Sequence, residues 1–457
     1  MITIFSVILL AVPVYAWLVY PLLLRMLAPP AEGRPTAEAP SAAPAGLSFD
    51  LLLAAHNEEQ NIGARIDNLA ATCAAVSGCR QIMIGLDGCS DRTAAIAQAR
   101  LAAHQADIRI ISFPQRRGKV AVLKDLVAQS DADVLVFTDA NTEFAPDAVS
   151  RMLCHFADEQ TGGVVGRLVL EKKVARLPVF VPAELPSSLS FAVTSRRGTQ
   201  GYKVTRQESL LRSSSDAGQA ADGSRESGVG SPCHHGCVKN GSAGASPSPR
   251  NTNAAEPPES SYWRWETGLK IRESALDSCL GANGAIYAIR RETFWREIPD
   301  NTIVDDFVIG MKVREQGRRL LYEPEAVAYE ELPPGGAEWR RRVRIGAGDF
   351  QALLLCRACL LPHFRWFAWC FWSHKVLRWF TPHITVALLL LSAFAGWRGN
   401  VNAIVLAAPA GVALLALSAV VSHRARHLIA MQCALFAGFA VFCRGRLRGT
   451  WERTPRG

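Results

Sequence analysis

The sequence predicts an α/β protein: a doubly wound, mostly parallel sheet held at a membrane by one N-terminal helix and about three C-terminal ones. Three observations carry that expectation. Between residues 48 and 170, short apolar runs alternate with amphipathic stretches of helical length, the pattern of βα units on a parallel sheet. Two of those runs end on a carboxylate, in Leu86-Asp87-Gly88 and Thr138-Asp139-Ala140-Asn141, where strands of an open sheet emerge into a ligand crevice. Long charge-free runs stand near both ends of the chain.

Residues 2–24 carry no charge and, at about 1.5 Å per residue, can cross the hydrocarbon layer. No basic region precedes the run, and it exceeds the roughly 7–15 apolar residues of a secretory signal. Residues 1–25 therefore read as a transmembrane helix. Arg25 follows at once, which by the positive-inside rule puts the next domain in the cytoplasm. Residues 26–47, rich in Pro, Ala and Glu, read as a linker. Strands are expected at 49–55, 81–87, 108–113, 134–139 and 163–170, with helices at 58–76, 90–106, 118–129 and 146–157.

The periodicity fails in 171–258, a stretch full of Ser, Gly, Ala, Arg and Pro. It offers too little apolar surface to offset its ordering entropy. It reads as a disordered insertion in a domain spanning 48–360, which resumes at Ser261-Tyr262-Trp263-Arg264-Trp265-Glu266. Aromatic and basic residues interleave between Pro362 and Trp372, so 361–380 reads as an interfacial helix. Spans are expected at 381–396, 403–421 and 428–442 within a membrane region 381–443, before a basic tail at 444–457. Three crossings would leave that tail outside, against the positive-inside rule. Either the short last segment is re-entrant or 351–372 also inserts.

With 457 residues, 49% of them hydrophobic, and a mean hydropathy of +0.10, the chain can bury one large core and still supply membrane segments. The net charge of +9 suits anionic lipid and diphosphate partners. Nucleic acid is excluded as a partner, because the basic residues cluster beside membrane segments and no base-reading module is present. The twelve cysteines are scattered without a disulfide framework, and a cytoplasmic domain keeps cysteines reduced. Cys233-His234-His235-Gly236-Cys237 has the spacing of part of a metal site but lacks a companion pair.

Several stations carry chemistry. Ala55-His56-Asn57-Glu58-Glu59 either faces the crevice after the first strand or supplies acids that complement a helix dipole. At Asp87, Gly88 permits a tight turn and Ser90 can cap the next helix. The carboxylate is then either left for a base or ribose or used as a turn residue. Arg116-Arg117-Gly118-Lys119 suits a phosphate at a helix start, or is a solvated basic turn. Asp139 and Asn141, two apart at a strand end, can present two oxygens to one hard cation that bridges a diphosphate. Asp305 and Asp306 open a helix expected at 307–316, where they either cap it or take the proton of an attacking hydroxyl. Arg341, Arg342 and Arg344, followed by Gly346 and Gly348, form either a phosphate site or a membrane-facing basic stripe.

In this order the stations resemble the family 2 glycosyltransferases of the processive, membrane-embedded kind, similar to the synthases of hyaluronan, chitooligosaccharide, poly-N-acetylglucosamine and cellulose. The resemblance covers roughly residues 48–170 and 262–382 plus the membrane segments. It implies a GT-A fold, a nucleoside-diphosphate sugar donor (a UDP-sugar), Mg²⁺ or Mn²⁺, and a glycan or lipid-linked acceptor. It also implies a multi-pass protein of the inner (plasma) membrane with a cytoplasmic catalytic domain. By that likeness Glu58 and Asp87 hold the nucleoside and Lys119 sits near it. Asp139 and Asn141 stand at the D-x-D metal motif, with Asn for the second acid. Gly281-Ala282-Asn283-Gly284 matches the acceptor-side loop, which puts Asn283 and Gly284 with Asp305 at the acceptor, and Asp306 matches the catalytic base.

The stretch from Arg341 to Gly348 matches Q-x-x-R-W-x-x-G, with Arg for Gln and Ile345 for Trp, so that Arg341 and Arg344 fall at the donor's diphosphate. The implied reaction is an inverting transfer in polysaccharide synthesis, without a covalent enzyme intermediate. The missing tryptophan removes a sugar-stacking platform, which keeps a single transfer to a lipid carrier as an alternative. A nucleotide-sugar-binding protein that lost catalysis through the insertion is a third reading.

Overall fold

The computed structural model describes residues 2–28, 44–171, 193–196, 199–202, 258–331, 335–399 and 403–445. Most of the linker, most of the expected insertion, the Cys233–Cys237 cluster and the tail beyond 445 lie outside these residues.

The strands are β1 (Phe49–Ala55), β2 (Cys79–Asp87), β3 (Ile108–Phe113), β4 (Val134–Thr138), β5 (Thr142–Phe144), β6 (Thr161–Glu171), β7 (Val193–Arg196), β8 (Thr199–Tyr202), β9 (Tyr287–Arg290) and β10 (Arg319–Glu331). Eight of them run in the order β5-β10-β6-β9-β4-β1-β2-β3, and the short pair β8-β7 extends the edge beyond β3. That pair falls inside the stretch expected to be an insertion. The sheet is mixed. β4, β1, β2 and β3 are mutually parallel, and so are β6 and β10. β9 is antiparallel to both β4 and β6.

All seven residues of β1 are buried, because helices cover both faces. The two-residue period of the strand splits its side chains between two cores. Leu51 and Leu53 pack with Ile62, Ile66 and Leu69 on one side, while Leu52 meets Val122 and Leu126 on the other.

Two helices start later than their periodicity suggests. The helix expected from 58 begins at Ile62, because the Glu58 carbonyl first accepts the N–H groups of Asn61 and Ile62 in a turn. The helix expected at 90–106 is Thr93–Leu101. Its first N–H, on Thr93, goes to Asp91 Oδ1 at 3.0 Å, while Ser90, the expected cap, bonds to Asn57 instead. Cys73 and Cys79 form a disulfide across six residues, contrary to the expectation of reduced, unpaired cysteines. The reversal from the helix Ile62–Ala75 into β2 brings their Cα atoms to 5.3 Å.

Three helices are long and apolar enough to cross a membrane: Thr3–Leu27, Trp366–Trp397 and Ala425–Cys443. Val405–Val421 is apolar but shorter. Instead of a separate interfacial helix over 361–380, most of that stretch runs into the 32-residue helix Trp366–Trp397, through a π-helical segment at Phe371–Val376. Apolar side chains such as Ile4, Phe5, Leu390 and Leu414 stand exposed along these helices, a surface that lipid would cover.

Candidate active site

Strand order reverses at β1: β2 and β3 follow on one side and β4 returns on the other. A crevice opens at such a switch point, beyond the carboxyl ends of the strands. Here it is a cavity of about 960 Å³. Of the residues singled out from the sequence, Glu58, Lys119, Asp139, Asn141, Asn283, Gly284, Asp305, Asp306, Arg341 and Arg344 line it, and Asp87 does not.

Asp87 is fully buried. Its Oδ1 accepts the N–H of Arg117 at 2.6 Å and its Oδ2 that of Gly118 at 2.8 Å. The carboxylate expected to be left for a base or ribose is thus already engaged by the 116–118 turn. Gly88 serves the same turn: its φ is +58°, and a Cβ there would come within 2.6 Å of the Arg116 nitrogen. The turn fixes the start of the helix Lys119–Ala128 and so aims Lys119 into the crevice.

Lys119 Nζ donates to Asp139 Oδ1 at 2.9 Å and lies 3.5 Å from Asp305 Oδ2. Burial alone would lower this lysine's pKa. The charges of Asp139, Asp305 and Asp306 more than reverse that and keep it protonated. Asp305 is pushed up by burial, with Lys119 opposing. Asp306 is pushed up to about 6 by burial and then by the charge of Asp305, against the pull of Lys119. Its Oδ1 accepts the N–H of Phe307 at 2.8 Å, in the first turn of the helix Asp305–Glu315.

Asn283 donates Nδ2 to the Gly166 carbonyl at 2.8 Å, and its Oδ1 accepts from Ile286 N–H, so its amide shapes the loop. Gly284 lies against Asp139, where a Cβ would meet Oδ2 at 2.7 Å. Arg341 and Arg342 both reach Glu338 on their own helix, and burial followed by Arg341 lowers the pKa of Arg344. The glycines after them do permit close packing. Gly348 lies against Ile303 and Gly346 against Leu435, with would-be Cβ contacts of 2.9 and 3.2 Å.

The donors at the end of β4 suit a hard divalent cation. They are the Asp139 carboxylate, the Asn141 amide and, beside them, the buried Asp305 Oδ2, which accepts no hydrogen bond. Among the described residues, no group of three or more His, Cys, Asp or Glu forms a complete metal cage. Mg²⁺ commonly takes one or two carboxylates and completes its shell with phosphate oxygens and water. The site fits that pattern.

Sequence reasoning missed several residues. Arg65 is 2% exposed, donates Nη2 to Thr138 Oγ1 and lies 4.1 Å from the Phe144 ring centre. Burial lowers it to about 9, against Asp139 and Glu143. A cation on the apolar stripe Ile62-Ile66-Leu69 was its visible signal. Glu330 lines the cavity and accepts Asn141 Nδ2 at 2.9 Å. Asp349 is pushed up to about 7 by burial, with Lys375 opposing and Asp306 adding. The cavity also has a polar arm among the candidate spans. There Glu266 accepts from Lys375 at 2.6 Å and lies 3.0 Å from His374 Nε2, while His374 Nδ1 reaches Glu273 at 2.6 Å. Burial would raise Glu266, but His374 and Lys375 hold it well below the usual carboxylate range.

The family model of Glycosyl transferase family 2 matches residues 50–197, about a third of the chain, which includes Glu58, Lys119, Asp139 and Asn141 of this crevice. Over those residues the chain has the pattern of a family 2 glycosyltransferase domain. The enzyme is a glycosyltransferase. It is similar to an N-acetylglucosaminyltransferase of Rhizobium leguminosarum bv. trifolii, 25% identical over 122 residues, which are 27% of this chain and 67% of the relative. In fold it is similar to the mannosyltransferase PcManGT of Pyrobaculum calidifontis, a structure solved with GDP-Man and Mn²⁺. That likeness has a TM-score of 0.61 at 16% identity and covers 98% of this chain and 100% of the other. The sheet is GT-A-like.

Proposed function

We propose that the protein is a membrane-bound, inverting glycosyltransferase that moves a sugar from a nucleoside-diphosphate donor to a growing glycan in polysaccharide synthesis. One observation carries this reading. A single cavity holds an oxygen-donor station (Asp139, Asn141), a carboxylate pair with one member raised to about 6 (Asp305, Asp306) and two arginines (Arg341, Arg344), and continues among helices able to span a membrane.

In this reading Glu58 and the turn held by Asp87 border the nucleoside, while Lys119, Arg341 and Arg344 offset the charge of the departing diphosphate. Asp306, ionised above about pH 6, accepts the proton of the acceptor hydroxyl as that oxygen attacks the anomeric carbon. Asn283, Gly284 and Asp305 border the acceptor. Mg²⁺ or Mn²⁺, held by Asp139 and Asn141, would supply further neutralisation of the diphosphate. The protein sits in the inner membrane with its catalytic domain in the cytoplasm, and its donor is a UDP-sugar. The relative named for N-acetylglucosamine transfer makes that sugar the first to try.

A second reading, one transfer to a lipid carrier, is favoured by Ile345 in place of an aromatic platform and by the polar arm lined by Lys270, Lys375 and Arg378. Membranes containing the protein, screened with UDP- and GDP-sugars for diphosphate release and product length, test both readings. A ladder of products supports polymer synthesis, and a single added sugar on lipid supports the second reading. No diphosphate release from any donor would leave only a binding protein.

A further inference from the structure

The end of β4 carries one acid, Asp139, while Asn141 offers a neutral oxygen and brings no charge to a divalent ion. The structure assigns the missing charge to Glu330: this carboxylate, on a different strand, complements Asn141 and completes the electrostatics of the cation station. The inference rests on the metal-dependent donor binding proposed above.

Backbone geometry puts the two residues together. β5 and β10 pair antiparallel with Thr142 opposite Glu330, so position 141 lies beside position 330 at the sheet edge. Asn141 Nδ2 donates to Glu330 Oε1 at 2.9 Å. An amide that gives its nitrogen to a carboxylate turns its oxygen away from that partner. Both residues line the cavity, and Glu330 is only 9% exposed, so its charge is weakly screened there.

The arrangement also explains why asparagine suits position 141. An aspartate there would set two carboxylates about 3 Å apart, and like charges at that distance do not both ionise. One acid and one amide across the β5–β10 pair keep the negative charge and add a hydrogen bond. An outer carboxylate of this kind orients a ligand and strengthens it as a donor, and its loss typically costs about 10–100-fold in metal affinity. Glu330 is therefore a positioning residue for the cation, acting through Asn141.

The test is a charge-exchange cycle on the full-length, detergent-solubilised protein. Mn²⁺ affinity is measured by calorimetry and by the loss of the free-ion paramagnetic resonance signal, with nucleoside diphosphate present. Glu330→Gln should weaken Mn²⁺ binding about 10-fold or more. Asn141→Asp alone should weaken it as well, by setting two carboxylates against each other. The double variant Asn141→Asp/Glu330→Gln should return to within about threefold of the unaltered protein, a rescue that a misfolded site would not give. Tighter binding in Asn141→Asp alone, or unchanged binding in Glu330→Gln while Asp139→Ala abolishes it, would overturn the pairing and leave the metal reading intact. Unchanged Mn²⁺ binding in Asp139→Ala would remove the metal reading and this inference with it.

Discussion

Two acid stations share the Lys119 ammonium in the crevice, and their surroundings differ. Asp139 stands at the end of β4 with its side chain 35% exposed and a lysine ammonium 2.9 Å away. Asp305 and Asp306 stand at a helix start, where the Asp305 side chain is 8% exposed and Lys119 is no closer than 3.5 Å. A half-open carboxylate at a strand end is within reach of a cation arriving from solvent. Burial pushes the Asp305–Asp306 pair up against the pull of Lys119, and Asp306 reaches about 6. In the proposed reaction the same side chain is a ligand or a base according to the element that carries it and the water left around it.

The largest test of that contrast removes the proposed base. Asp306→Asn keeps the shape and an oxygen for the Phe307 N–H but cannot accept a proton. Turnover should fall by about 10²-fold or more, while donor affinity stays within a factor of about three. Near-normal turnover would show that Asp306 is not the base. The matching change at the other station should split the opposite way. Asp139→Ala should lose the gain in donor affinity that Mn²⁺ gives, since Asn141 alone offers one neutral oxygen. Calorimetry with and without Mn²⁺ reads this directly, and a metal gain that persists would place the cation elsewhere.

How much of this was legible in the sequence follows from the range of the interactions. β1 to β4 could be read because they rest on local pattern, apolar runs of which two end at Asp87 and Asp139, and the Asp305-Asp306 pair because it opens a helix. β5 is only three residues long, and although Ala285 to Ile289 is apolar, the place of β9 antiparallel between β4 and β6 comes from pairing distant segments. Asp87 kept its position but not its expected partner, because only the fold shows that the 116–118 turn reaches it first. The same limit hid Glu330 and Arg65, whose partners stand 189 and 73 residues away.

A smaller perturbation sharpens the contrast without removing either acid. Gly284→Ala would place a methyl group 2.7 Å from Asp139 Oδ2, so the carboxylate must shift while Asp306 stays as it is. Donor affinity in Mn²⁺ should weaken by about 5–10-fold, of the order of 1 kcal/mol, with turnover of bound donor little changed. An equal fall in both would mean that the glycine serves the acceptor side as well.

The smallest expected effect is a displaced pH profile. A base must be unprotonated to work, so with Asp306 at about 6 turnover should be full above that pH and fall as pH drops through it. After burial, the charge of Asp305 is the largest influence holding that value up, while Lys119 pulls it down. Asp305→Asn should therefore move the acid limb to lower pH, by up to about one unit or 1.4 kcal/mol. Lys119→Met removes the opposing cation and should move the limb to higher pH. The two shifts differ in sign, which a general loss of activity cannot imitate. An acid limb that stays in place in both variants would mean that the group titrating there is not Asp306, and the base would then be sought at Asp349, the other carboxylic acid in the cavity raised to about 7.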